Sequence, residues 1–297
     1  MGARIGKKTV GLIVGRENLT PDLNNQDRLL DGLEDDITRL PEMVINKLPF
    51  LINRSITEIT ANDFEDISEI TEYVFYGCRQ LQTLTIPEGI TKIGSSAVRN
   101  CGALTEINLP STLRTVSSYA FMSSGSSAKV NIPSIKDWCN ITFSTGEANP
   151  LSQNNNQLYV NGELITELKS TDLQESNKIP SYAFYNYQLT KITIPSSITK
   201  FDSLCFANNT NLLEVIFEGQ APSISRTFEG CTSVTKYDFS KCTSIPTLSS
   251  TGSLGHADGC TIILPFDLYD EWLNATNWGS LYESVSFVQA GIEIPEE

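Results

Sequence analysis

The stretch YVFYGCRQLQTLTIP, from Tyr73 to Pro87, decides the fold because it recurs. Shifted by 23 residues, Phe75 falls on Val98, Cys78 on Cys101, Leu81 on Leu104, Leu84 on Ile107, Ile86 on Leu109 and Pro87 on Pro110. A second shift puts Phe121, Val130, Ile132 and Pro133 in the same places. The pattern resumes with Phe184, Leu189, Ile192, Ile194 and Pro195. It then runs through Phe206, Leu212, Val215 and Phe217, and through Phe228, Val234, Tyr237 and Phe239, now with a period of 22. Ile70, Ile93, Val116, Ile179 and Phe201 form one further column. Self-similarity at such a period is the signature of a repeat architecture.

Within each repeat the segment Leu-x-x-Ile-x-Ile-Pro alternates at period 2, as a half-buried strand does. The closing proline ends the strand because it has no N–H to give a ladder. The Ala-Phe-x-x-Cys portion is too short for a helix and reads as a tight helical turn on the opposite side. One such coil cannot bury its own apolar face, so coils stack into a solenoid of about six to eight units. Equivalent residues then lie ~4.8 Å apart, the spacing of neighbouring strands.

The repeated unit, seen most fully in Ser118-Tyr119-Ala120-Phe121 and Ser181-Tyr182-Ala183-Phe184, resembles the BspA-like leucine-rich repeat family. The stretch from Trp138 to Phe143, leading to Ala148–Leu151 and Leu158–Gly162, resembles an insertion that recurs in that family. The run from Leu264 through Trp272 to Trp278 resembles its closing cap. The resemblance implies a leucine-rich-repeat solenoid, horseshoe-like and β-dominated, with one parallel sheet and a role in adhesion or recognition. The chain then divides into an N-terminal attachment segment (1–50), a first repeat block (51–135), an insertion (136–178), a second repeat block (179–262) and a C-terminal aromatic cap and tail (263–297) that includes Trp272, Trp278 and Tyr282. Glu218 and Ser240 replace the strand-ending proline, and residues 222–261 are irregular, so distortion is expected in the last coils.

Residues 1–50 lie outside the repeat. Thr20-Pro21-Asp22 starts a helix that Pro41 stops, and Leu23, Leu30, Leu33, Ile37 and Leu40 share one face at coiled-coil spacing. Two readings stand: a helix capping the first coil, or an oligomerisation seam, with a trimer favoured. The apolar patch Val10–Val14 is too short for a secretory core and has no small-residue cleavage site after it. The leader Leu29–Ile37 into Ile52–Ile56 resembles segments that join such repeats to bacteriophage tail or fibre proteins. The expectation is a non-enzymatic virion structural protein that attaches to other virion proteins and displays the repeat to a host surface glycan or protein. The alternatives are a bacterial BspA-like cell-surface adhesion protein and, from another class, a carbohydrate-active enzyme.

The composition narrows the chemistry. The 297 residues carry 21 Lys and Arg against 35 Asp and Glu, a net charge of −14 that repels phosphate backbones, so no nucleic-acid partner is expected. No run of 18 apolar residues occurs, so no membrane insertion is expected. Seven cysteines occur without a Cys-x-x-Cys pair, which signals neither zinc nor a disulfide framework. Cys78, Cys101 and Cys231 share a repeat column and read as small buried hydrophobes. The only histidine, His256, sits in a Gly-rich loop without a nucleophile motif, and the segment from Gly2 to Thr9 fails the phosphate-loop spacing. No catalytic residue, metal site or cofactor is expected. Between the buried columns of the strands, one outward column reads Thr83, Glu106, Lys129, Lys191, Glu214, Lys236, and the next reads Thr85, Asn108, Asn131, Thr193, Ile216, Asp238. Their polar members are the candidate recognition surface. Glu106 opposite Lys129, and Glu214 between Lys191 and Lys236, are expected to form cross-strand ion pairs.

Overall fold

The computed structural model describes residues 57–64, 67–152 and 155–291. Its frame is two broad sheets, each with a narrow ladder behind it. The first broad sheet runs through Glu58–Ile59, Thr83–Thr85, Glu106–Asn108, Lys129–Ile132 and Gln157–Val160, all parallel. The second runs through Glu167–Leu168, Lys191–Ile194, Glu214–Phe217, Lys236–Asp238, Cys260–Leu264 and Val285–Gln289, again parallel. The strands of the sequence columns keep the repeat register: Thr83 pairs with Glu106 and Glu106 with Lys129, while Lys191 pairs with Glu214 and Glu214 with Lys236. The column of Ile70, Ile93 and Val116 forms a narrow ladder of two-residue strands ending at Thr142–Phe143, and Ile179 and Phe201 form a second.

The single continuous sheet implied by resemblance is interrupted once. Asn161 and Gly162 hold φ of 51° and 82°, the left-handed pair that a two-residue hairpin turn requires. The chain reverses there, and Glu163–Leu164 pairs antiparallel with Gln157–Val160, closing the first sheet. Within residues 136–178, Thr142–Phe143 extends the narrow ladder and Gln157–Val160 the broad sheet, so repeat pairing runs on into the insertion.

The tight turns opposite the strands are laddered as well. Their first residues (Tyr73, Ser96, Tyr119, Tyr182, Leu204, Arg226) all have φ near 60°, and so do the residues four places on (Gly77, Asn100, Ser123, Asn186, Asn208, Gly230). A bulky side chain in that region costs roughly 1–3 kcal/mol. The backbone compensates: Phe75 N donates to Ala97 O at 2.7 Å, Gly77 N to Arg99 O at 2.9 Å, Val98 N to Ala120 O at 2.9 Å and Phe184 N to Cys205 O at 2.8 Å. Alternate amides of the turns at 73–77, 96–100, 182–186 and 204–208 are thereby spent on the next coil.

The apolar columns lie between turns and strands. Phe75, Val98, Phe121, Phe184, Phe206 and Phe228 are fully buried, as are Cys101, Cys205 and Cys231. The Cys101 thiol donates to Phe75 O at 2.9 Å and that of Cys231 to Phe206 O at 3.2 Å, so the sulfurs also satisfy turn carbonyls. Trp138 is buried where the two blocks meet, its Nε1 donating to Ala183 O at 2.9 Å and its ring 5.1 Å from that of Phe143. Asn149 donates to the same carbonyl, also at 2.9 Å. In residues 222–261 the narrow ladder fades to the isolated bridges Ile224–Leu248 and Phe228–Leu254, while the broad sheet continues. Trp272 and Trp278 close the core against Phe239, with ring centres 5.4 and 5.3 Å away. Tyr282 is 73% exposed and takes no part in that cap: it follows Leu281, which takes the inward position.

Candidate functional site

On the outward face of the first broad sheet the structure places Thr83, Thr85, Glu106, Asn108 and Asn131 half-buried and Lys129 exposed. Parallel pairing sets equivalent side chains one strand apart, close enough for identical polar groups to bond along the column. Asn108 Nδ2 donates to Thr85 Oγ1 at 3.0 Å, and Asn131 Nδ2 donates to Asn108 Oδ1 at 2.7 Å. The ion pair expected between Glu106 and Lys129 does not form, although the two are register partners. Asn131 also donates to Glu106 Oε1 at 3.2 Å, while Lys129 Nζ turns to the next strand and lies 5.5 Å from the ring centre of Tyr159. A cation over a tyrosine face competes well with a solvated carboxylate. The repeat pattern, traced only as far as Pro133 in this block, did not reach Tyr159. The register Asn131↔Tyr159 now sets it at the end of the amide ladder.

On the second sheet Lys191, Thr193, Glu214, Lys236 and Asp238 are half-buried. Here the ion pairs do form: Glu214 receives Lys191 at 2.5 Å and Lys236 at 2.8 Å. Burial pushes the Glu214 carboxyl up, but the hydrogen bonds from the two lysines outweigh it and hold the group below its ordinary value. The sheet continues outward with Ile216 and Ile263, so this face is less polar than the first. The proposed seam of Leu23, Leu30, Leu33, Ile37 and Leu40 lies outside the described residues.

A second surface, on the turn side, went unread in the sequence because tyrosines there were assigned only to the repeat signature. Tyr73 and Tyr76 meet edge-on at 5.9 Å, and so do Tyr182 and Tyr185 at 5.7 Å. Asn100 donates to the Tyr76 hydroxyl and Asn208 to that of Tyr185, each at 3.2 Å.

His256 does meet a hydroxyl, that of Ser284, 3.4 Å from its Nε2. The pair is a poor nucleophile–base arrangement. Ser284 donates its proton to Leu281 O at 3.0 Å, and Nδ1 faces the carbonyl of Ala257 at 2.9 Å, where a triad has a carboxylate. Among the described residues no group of three His, Cys, Asp or Glu side chains is arranged to hold a metal ion, and no helix is long and apolar enough to cross a membrane.

Stacked coils with one parallel strand per coil, spaced 22 or 23 residues apart through the repeat columns, and tight turns opposite define a leucine-rich-repeat solenoid. The model of the BspA type leucine-rich repeat region matches residues 44–148 and 163–253, in six copies. The chain belongs to that family. Among solved structures it is similar to a leucine-rich cell surface protein from Faecalibacterium prausnitzii (18% identity, TM-score 0.41, covering 78% of this chain and 66% of that one). It is also similar to the leucine-rich repeat protein of T. pallidum (16%, TM-score 0.31, 74% and 77%) and to the pneumococcal vaccine antigen PcpA (14%, TM-score 0.34, 79% of each). A search of curated proteins found no match.

Proposed function

We propose that this chain is a non-catalytic recognition module of a bacterial cell-surface protein, binding a host surface glycan or protein. The observation that carries the reading is the ordered polar ladder Thr85–Asn108–Asn131, ending beside Lys129 and Tyr159 on a rigid sheet. Groups already held by neighbours lose little rotamer freedom on binding, and an aromatic at the end supplies contact area. Family membership supports this reading over the virion-fibre expectation, whose motivating segments, Leu29–Ile37 and Ile52–Ile56, lie outside the described residues. Homo-oligomerisation through Leu23, Leu30, Leu33, Ile37 and Leu40 belongs to the same proposal.

The test is binding of the fluorescently labelled full chain to epithelial monolayers and to immobilised mucin, beside an Asn108→Ala/Asn131→Ala variant. Saturable binding that falls about tenfold in the variant is expected. Unchanged binding would move recognition off this face. Detection of the chain in purified phage particles by mass spectrometry would restore the virion reading. Light scattering of the full chain beside one starting at Leu51 tests the seam: a trimer that becomes a monomer supports it, and two monomers refute it.

A further inference from the structure

The turn side of the first coils differs in chemistry from the sheet face. The guanidinium of Arg99 lies 5.9 Å from the ring centre of Tyr119 on the next coil, and Tyr119 is 45% exposed. Arg99 Nε is shut off from solvent and has no hydrogen-bond partner. One coil earlier, Arg79 is exposed and lines a shallow depression of about 410 Å³ with Asn100, Gly102, Ala103 and Ser123. Neither arginine is paired with a described carboxylate; of the other described cations, lysines at 92, 136, 178, 191, 200 and 236 and Arg226 are paired, while Arg114, Lys129, Lys169 and Lys241 are not. Two guanidiniums on adjacent coils are thus left without a carboxylate in a chain whose carboxylates outnumber its cations 35 to 21. Asn100 joins them: it follows Arg99, lines the depression beside Arg79, and is oriented by its bond to the Tyr76 hydroxyl.

We propose that this edge binds an acidic polysaccharide through the carboxylates of its uronic-acid residues. The inference rests on the surface-recognition reading above and goes beyond it, adding on the turn side a second surface with its own ligand class. A guanidinium presents two parallel donors that match a carboxylate, and that of Arg99 lies over the Tyr119 ring. The exposed ring offers a flat face for the C–H side of a sugar, and Asn100 a polar group for its hydroxyls. A shallow depression fits a chain of rings lying along the surface. An extended acidic peptide fits less well. It would pair through backbone hydrogen bonds, and the turn amides here are spent on the next coil, as with Phe75 N on Ala97 O and Gly77 N on Arg99 O. Screening confines the chain's net negative charge to local effects, within about 8 Å at physiological salt.

The test is calorimetric titration of the full chain with oligogalacturonate, with its methyl ester and with poly-glutamate. Binding to oligogalacturonate that weakens with salt and falls about tenfold in Arg79→Gln and in Arg99→Gln is expected, with the ester and poly-glutamate binding weakly. Arg79 and Tyr119 are exposed, so Arg79→Gln and Tyr119→Ala will keep the thermal unfolding profile and report binding alone. Equal binding of the ester removes the carboxylate from the argument; equal binding of poly-glutamate removes the sugar. If labelled protein still binds epithelial cells while oligogalacturonate does not bind, this inference fails and the surface-recognition reading stands. If neither binds, both fail.

Discussion

In the second block Phe184, Phe206 and Phe228 stack face to face, 5.4 and 5.6 Å apart and within 10° of parallel, and Phe217 stacks on Phe239 at 4.6 Å. The same column of the first block reads Phe75, Val98, Phe121, and Phe75 instead meets Phe64 edge-on at 6.1 Å. Outward, the first block is tied by neutral amides and the second by the triad Lys191–Glu214–Lys236. One backbone repeat thus tolerates two packing solutions. Coil spacing fixes where a side chain sits, and any apolar shape that fills about one coil's height satisfies the column. An unbroken run of phenylalanines makes the central ring, Phe206, depend on two others, whereas an alternating run divides the dependence.

That contrast can be broken at the centre of each column. Phe206→Ala removes a ring stacked on both sides and is expected to destabilise by about 4 kcal/mol in urea denaturation; Val98→Ala, between two phenylalanines, by about 2 kcal/mol. Equal losses would mean the stack adds nothing beyond burial. Asn209 is fully buried, its Oδ1 accepting from Leu189 N and its Nδ2 donating to Phe184 O and Phe206 O. Asn209→Ala orphans Leu189 N and Phe184 O, leaves Phe206 O with the Cys231 thiol alone, and should cost about 3 kcal/mol in the same measurement.

The outward ladders separate the halves by their response to salt and acid. Glu214→Gln is expected to lose about 1 kcal/mol at low ionic strength and almost nothing in 1 M salt. Asn108→Ala should show the same small loss at both. The Glu214 carboxyl titrates lower when folded than when unfolded. Its contribution is therefore present in full above the ordinary 4.5 and is lost as pH falls through the folded-state value. Acid titration of the thermal midpoint should accordingly show a smaller low-pH drop in Glu214→Gln than in the parent chain. The smallest difference is in thiol reactivity. Burial pushes the thiols of Cys139 and Cys231 up to about 12 and that of Cys242 to about 11. Native labelling at pH 7.5 should be slow throughout and least slow at Cys242. Fast labelling at Cys78 or Cys101 would mean that the column opens to solvent.

The repeat period, the identity of the buried columns and the strand register were all legible from residues such as Phe121, Ile107 and Val130. Each is dictated by a one-dimensional rule: period 2 within a strand, and 22 or 23 between coils. The Lys191–Glu214–Lys236 triad was legible for the same reason, since register alone brings those charges together. The hairpin at Asn161–Gly162 carried its own turn signal, yet its effect, closing one sheet so that another begins, depends on which strands already lie beside it. Whether Lys129 would turn to Glu106 or to Tyr159 depended on two attractions of similar size, decided by the coil beyond the repeat. The pairing of Arg99 with Tyr119, and the absence of a carboxylate from Arg79, came only from the tertiary structure. Side chains on a turn edge obey no periodic rule of burial, and their partners are set by three-dimensional distance between coils.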